Sequence, residues 1–337
     1  MKYYIIRRLL LMIPTILGIT VICFTLIQFV PGGPVEQMIA RLRATTSERG
    51  VDASVSISDE EIQNIKAYYG FDKPAPVRYF IWLGNVLRLD LGASYAYQEP
   101  VWDVLSTRFP ISLFFGLTSF LLSYLVCIPL GMLKAVKNMT AIDTATSIII
   151  FVGYVIPGYA LGILLIIFFA GGDYFQWFPL SGIVSDNFEN LRVLSKVGDF
   201  LHHMILPMIC YMASEFAFLT LLMKNSILEE LKKDYMRTAL VKGSPFNRAV
   251  WKHAFRNSLI PLATRMSEIF TLIFAGAILI EKVFDIDGMG LLVFNSIVNR
   301  DYNVVMGIIL ISSVLTLLGR LFSDILYAVV DPRITFK

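Results

Sequence analysis

The chain has 337 residues, 56% of them hydrophobic and only 16% charged, with a mean hydropathy of +0.67 and a net charge of +3. A soluble domain of this size carries about 25% charged residues, so an ordinary globular protein is excluded. The small net charge also argues against a nucleic-acid partner.

Apolar runs long enough to cross a bilayer recur along the chain, which marks an all-α integral membrane protein. Six spans are predicted, at 9–30, 110–133, 145–170, 203–223, 258–280 and 304–330. Each has 21 to 27 residues, against the ~20 needed at about 1.5 Å per residue. Lys2, Arg7 and Arg8 precede the first run, as in a signal peptide. Its 22-residue core exceeds the usual ~7–15 and no A-x-A site follows, so it is expected to stay attached. Pro14, Pro129, Pro157 and Pro207 fall inside spans and predict kinks. Cys23, Cys127 and Cys210 lie far apart in apolar runs and read as packing thiols.

Between the first two spans, 33–107 is the one sizeable extramembrane insertion. Ser58 and Glu61 form a capping box for a short helix with Ile62, Ile65 and Tyr69 on one face and Gly70 closing it. A second short helix follows, with Tyr79, Phe80, Trp82, Leu83 and Leu87 suited to the membrane surface. Basic residues set the orientation. The segments 1–8, 134–142, 224–257 and 331–337 hold 15 Lys and Arg in 58 positions, whereas 33–107, 171–202 and 282–303 hold 11 in 129. The denser set belongs inside, so both termini are expected to be cytoplasmic.

The stretch 234–256 carries Arg237, Lys242, Arg248, Lys252 and Arg256 but one carboxylate, Asp234. Gly243 suits a left-handed helix stop, and Ser244-Pro245 suits a helix start with Ser as cap. Two helices are therefore predicted, about 228–242 and 246–256. The second has Phe246, Val250, Trp251 and Phe255 on one side and Arg248, Lys252 and Arg256 in an i, i+4, i+8 row on another. A bare connection needs only about 2–8 residues, and lipid binding does not require a capped, two-helix unit. A protein partner with a groove accounts for it better.

Arg237-Thr-Ala-Leu-Val-Lys-Gly243 and His253-Ala-Phe-Arg-Asn-Ser-Leu-Ile-Pro261 resemble the cytoplasmic EAA loop of ATP-binding-cassette (ABC) importer permeases, in its peptide-importer variant. Arg237 and Thr238 stand where the general consensus has Glu-Ala. Phe29-Val-Pro-Gly-Gly-Pro34, Gly70-Phe-Asp-Lys-Pro74, Asp90-Leu-Gly-Ala-Ser94 and Asp331-Pro-Arg333 extend the similarity to the dipeptide/oligopeptide permease family over nearly the whole chain. Phe168-Phe-Ala-Gly-Gly172 and Lys224-Asn-Ser226 look closer to its Yej-type branch, which imports oligopeptides and the antibiotic microcin C. In Glu281–Gly290 the family has a Pro where Asp287 stands, which predicts a less rigid lip.

The resemblance implies a six-span ABC importer permease of domains 1–32, 33–107, 108–330 with its coupling segment 224–257, and a tail 331–337. It implies a second, homologous permease, two ATPase subunits or one fused ATPase, an external peptide-binding protein, a peptide substrate and surrounding lipid. Tyr235, Arg237, Thr238, Ala239, Lys242, Gly243, His253, Arg256 and Asn257 are the expected ATPase-coupling residues. No G-x-x-x-x-G-K-[ST] loop occurs, so ATP and Mg are expected on the partner subunits and no cofactor on this chain. No catalytic motif stands out, so no enzyme is predicted.

Glu215, Glu268 and Tyr154 are the candidates for the translocation path. A charge at the bilayer centre costs about 2.5–3.5 kcal/mol, so each intramembrane ionisable group needs a reason. Arg265 and Glu268 are spaced to pair, as are Arg320 and Asp324, whereas Glu215 has no helical partner. A proton-coupled secondary transporter using Glu215 and Glu268 is the alternative. Adjacent His202 and His203 suit the interface better than a metal.

Overall fold

The computed structural model describes residues 2–29, 33, 36, 39, 62–64, 67, 71–172, 174–265 and 277–330. Ser58 and Glu61 of the capping box, Glu268 and the tail from 331 lie outside them, while 62–64 and 67 of the helix it was to cap are helical. The regular elements among the described residues are all helices, joined by turns and loops, with one isolated bridge between Ala93 and Pro100. The chain divides into two compact units: Met1–Ile5, Phe109–Leu291 and Leu315–Lys337 form one, Ile6–Arg108 and Leu292–Val314 the other.

Helix α1 is Lys2–Phe29, α2 Ala75–Val86, α3 Val101–Val136, α4 Ala141–Val155 and α5 Gly158–Phe169. Helix α6 runs Val193–Leu231, α7 Asp234–Val241 and α8 Phe246–Ala249. A π-helical turn, Val250–Ala254, leads to α9 Phe255–Ser258 and α10 Ile260–Thr264. The last three are α11 Ile278–Phe284, α12 Met289–Val298 and α13 Tyr302–Val330. Tyr3–Phe29, Val101–Val136 and Tyr302–Ile325 are each long and apolar enough to cross a membrane unbroken. Of the expected fifth span, only the ends fall in the described residues, as α10 and α11.

The expected single span 145–170 is two helices bent 100° apart at Pro157. The other prolines do not break their helices: α1 runs through Pro14, α3 through Pro129 and α6 through Pro207. At the break, glycines give the redirected α5 a close seat. A Cβ on Gly158 would stand 3.0 Å from the Cys210 carbonyl, and one on Gly162 would be 2.9 Å from the Phe284 ring. Phe115, Met204, Leu206, Tyr211, Ile280 and Ile286 fill the core they join. Cys127 and Cys210 are buried free thiols. A second cluster joins Met132, Met223, Ile227 and Leu262 to Val250 of the π turn. There α3 and α6 pass so closely that a Cβ on Gly131 would meet Met223 at 2.7 Å.

In the other unit, Tyr79 of α2 is buried against α1, its hydroxyl 3.0 Å from that of Thr20, while Phe80 and Leu87 are exposed as a surface helix requires. The loop before α3 is strapped down by Asp301. That fully buried carboxylate accepts from the Ser94 hydroxyl and from the Ala96 N–H at 3.0 Å. Trp102 Nε1 donates to the Leu89 carbonyl at 2.7 Å, and Asn303 Nδ2 to that of Ala93 at 2.8 Å.

Candidate functional site: the segment after α6

The expected helix 228–242 is split, its first residues belonging to α6. Helix α6 stops at Leu231, and α7 starts afresh at Asp234 after the turn at Lys232–Lys233. Helix α7 ends on Gly243, whose φ of +83° places it in the left-handed region. The Gly243 N–H donates to the Leu240 carbonyl (2.9 Å) and the Ser244 N–H to that of Ala239 (3.1 Å), the paired bonds of a Schellman stop. Ser244 is thus part of the stop and does not cap the next helix. Pro245 takes the cap position, with no side-chain cap hydrogen bond. The expected helix 246–256 is interrupted by the π turn at Val250–Ala254. Its wider turn aims Val250 and Ala254 inward, both buried.

The inner face of this segment is small and apolar: Met236, Ala249 and Ala254 are buried and pack with Leu231, Tyr235 and Ala239. Glu230, at the end of α6, holds it together. Its carboxylate accepts from Lys233 Nζ and the Tyr235 hydroxyl, and Asn257 Nδ2 of α9 reaches it at 3.4 Å and Tyr235 Oη at 3.2 Å. One buried carboxylate therefore ties α6, α7 and α9. Burial first, and then the bond to Glu230, push the Tyr235 hydroxyl up to about 12, so it stays a donor.

The outer face is different. Arg237, Thr238, Lys242, Gly243 and Arg256 are exposed, as are Arg248 and Lys252. Among them stand the apolar Leu240, Val241, Phe246 and Trp251, with Val241 at 88% and Trp251 at 56% exposure. The Arg237–Asp234 contact, at 4.0 Å between fully solvated groups, contributes little. Of the predicted coupling residues, Tyr235, Ala239, His253 and Asn257 are part-buried, and Tyr235 and Asn257 turn inward to Glu230. Exposed aromatic and apolar side chains beside arginines are residue types enriched at protein contacts.

The family model for the inner membrane component of binding-protein-dependent transport systems matches residues 127–336, which include this segment. The chain belongs to that family. Over its full length it is 42% identical to the peptidoglycan transport system permease YejB of Agrobacterium fabrum, covering 99% of it. It is 41% identical to the inner membrane ABC transporter permease YejB of Escherichia coli O157:H7 and 35% to the oligopeptide transport system permease AppB of Bacillus subtilis, all of both lengths being covered. It is thus a multi-pass transport subunit of the bacterial inner membrane, not an enzyme.

Within this permease Glu215, Arg265 and Asp324 have partners from elsewhere in the chain. Glu215 meets Arg265 at 3.9 Å, and the guanidinium lies 4.4 Å above the Phe218 ring. Tyr154 is exposed and lines, with Phe151, Phe218 and Leu221, an apolar groove of about 640 Å³. Asp324 accepts from the Tyr4 hydroxyl at 3.1 Å. His203 Nδ1 lies 2.9 Å from the Asp199 carbonyl, and His202 Nε2 lies 2.7 Å from that of Trp177.

Four buried carboxylates, Asp301 among them, were not singled out by sequence reasoning. Besides Glu230, Asp143 is gripped by Lys134 at 3.0 Å and Lys224 at 2.7 Å, which joins α3, α4 and α6. Glu281, fully buried, accepts from Ser112 (3.2 Å), Tyr211 (3.0 Å) and the Leu291 N–H (2.8 Å). Its side chain fills the space over Gly288 and Gly290, so the lip that lacks a proline is tied by a carboxylate instead. The one available signal was a lone acidic residue beside an apolar run.

Proposed function

We propose that this chain is one permease half of an ATP-driven importer of peptides, taking the substrate class from the oligopeptide and peptidoglycan systems named for its relatives. It crosses the membrane six times with both termini in the cytoplasm, and 33–107 forms an external insertion that receives the peptide-binding protein. A second, homologous permease completes the pore, and two ATPase subunits, or one fused ATPase, bind ATP and Mg. The observation that carries this reading is the outer face of 237–256, exposed, basic and apolar, on a segment clasped to α6 by Glu230.

Moving a two-state pore from 1:99 to 99:1 takes about 5.5 kcal/mol of differential binding. An ATPase gripping α7 and the π turn delivers it to α6 through Glu230 and to the following span through α9 and α10. The test is uptake of labelled peptides by cells lacking this chain, with and without ATP. Loss of ATP-dependent uptake supports the reading. Uptake that survives ATP depletion but collapses with an uncoupler would instead mark a proton-coupled carrier. Gly243→Pro, which removes the N–H that closes α7, is expected to abolish uptake in a chain that still inserts, and unchanged transport would rule out this route of coupling.

A further inference from the structure

The unit formed by Ile6–Arg108 and Leu292–Val314 encloses a cavity of about 220 Å³. Its walls include Gln28, Phe71, Arg78, Trp82, Tyr95 and Tyr302, with Lys73 and Asp90 also lining it; the Asp90 carboxylate accepts from the Gly92 N–H at 2.8 Å. Arg78 lies with its guanidinium carbon 4.5 Å above the Phe71 ring and donates from Nη2 to the amide oxygen of Gln28 at 2.5 Å. Its Nε is enclosed without an acceptor, as is Trp82 Nε1 in the same wall. Among the described residues no carboxylate pairs with this cation, and burial lowers its pKa. An enclosed donor without a partner costs about 1–3 kcal/mol. Two of them beside a cation that no described carboxylate pairs with leave packing alone as a poor account of the wall.

The chemistry of the guanidinium says what is missing. Nε and Nη2 form one edge of the fork, which accepts a carboxylate through two parallel hydrogen bonds. A single amide oxygen occupies one tine and leaves the other empty. The surrounding rings offer an apolar cradle. The volume, below the roughly 300–1,000 Å³ that takes drug-sized ligands, suits one residue and not a whole peptide.

We propose that this cavity binds a free carboxylate carried on a small apolar or aromatic body, such as the C-terminal residue of a peptide. Arg78 takes the carboxylate in place of Gln28, and Phe71, Trp82, Tyr95 and Tyr302 hold the body. The carboxylate chemistry stands on the cavity alone, and its assignment to a peptide rests on the importer reading above.

The test uses the full-length chain in detergent with whatever subunits co-purify, and two probes, N-acetylphenylalanine and its C-terminal amide. The acid is expected to bind saturably and to raise the melting temperature, and the amide to do neither. Gln28→Glu places a carboxylate on the fork from within and is expected to block the acid while the unliganded protein melts no lower. Arg78→Lys is expected to weaken the acid about tenfold or more, because a lysine offers no planar fork. Trp82→Phe, which keeps a ring and removes one donor, weakens it less. Equal binding of acid and amide, tighter binding of inorganic phosphate, or undiminished binding by folded Gln28→Glu each overturns the inference. Peptide uptake measured in parallel separates the two readings. Uptake without acid binding sinks the cavity and spares the importer, and acid binding without peptide uptake does the reverse.

Discussion

The segment that follows α6 and the loop strapped by Asp301 use the same device for different ends. In each, one carboxylate gathers parts of the chain far apart in sequence. Asp301 is fully buried and its partners, the Ser94 hydroxyl and the Ala96 N–H, are neutral. Glu281 is built alike, on Ser112, Tyr211 and a backbone N–H. Glu230 adds to its neutral partners, Tyr235 and Asn257, an ion pair with Lys233, whose side chain is 47% exposed. A half-solvated ion pair opens at a cost of about 0–1 kcal/mol, whereas a buried carboxylate that lets go strands every donor it served. Carboxylates with neutral partners are fixed joints, and the one that keeps a wet cation is a joint that can yield. The segment proposed to move has the second kind.

The comparison can be broken by removing each carboxylate in turn. Glu281→Ala should show the largest effect, since three donors lose their acceptor at about 1–3 kcal/mol each. Little folded protein is expected on size-exclusion chromatography, with partial recovery in Glu281→Gln, which keeps one oxygen. Near-normal yield of the alanine variant would deny that Glu281 holds the lip.

Asp301→Ala comes next, at about 2–4 kcal/mol, since the Ser94 hydroxyl and Ala96 N–H lose their acceptor and the Val304 N–H loses a long bond of 3.5 Å. Its mark is local: amide exchange should accelerate around residues 94–98 and not in α7. Glu230→Gln is expected to cost only about 1 kcal/mol in melting, yet to uncouple the ATPase, so that hydrolysis per peptide imported rises. A large fall in melting temperature with the coupling ratio intact would reverse that contrast.

The smallest effect concerns pH. The Tyr235 hydroxyl is raised from 10.0 to about 12 by burial and by Glu230. A raised pKa means a contribution that is complete below pH 10 and lost as pH climbs through about 12. The gap in melting temperature between wild type and Tyr235→Phe should therefore hold at neutral pH and narrow above pH 10. A gap that widened would contradict the assigned hydrogen bond.

Much of this protein was legible because its signals are local. The apolar length of 9–30 dictates a helix that can cross lipid, and α1 spans it. Gly243 announces a left-handed stop because any other residue pays for a clash of its Cβ, and the stop is there. The boundary of α7 was not legible, since nothing in Leu231–Asp234 forbids a continuous helix. What ends α6 is Glu230 collecting Lys233, Tyr235 and, from 27 positions away, Asn257. The π turn escaped for a related reason: it is chosen by the need to bury Val250 against Met223 and Leu262.

The sequence by itself determined the membrane class, the apolar helices and the place of the basic segment, because hydropathy and glycine stereochemistry act within a few residues. Tertiary structure alone decided which of four helical prolines becomes a right-angle break. A proline removes one hydrogen bond wherever it sits. Only at Pro157 do Gly158 and Gly162 let the redirected helix close on Cys210 and Phe284. It decided, too, that Tyr235 and Asn257 face inward to a carboxylate while Arg237 and Trp251 face out. A side chain's direction depends on what packs beneath it, and that partner is supplied by a distant stretch of the chain.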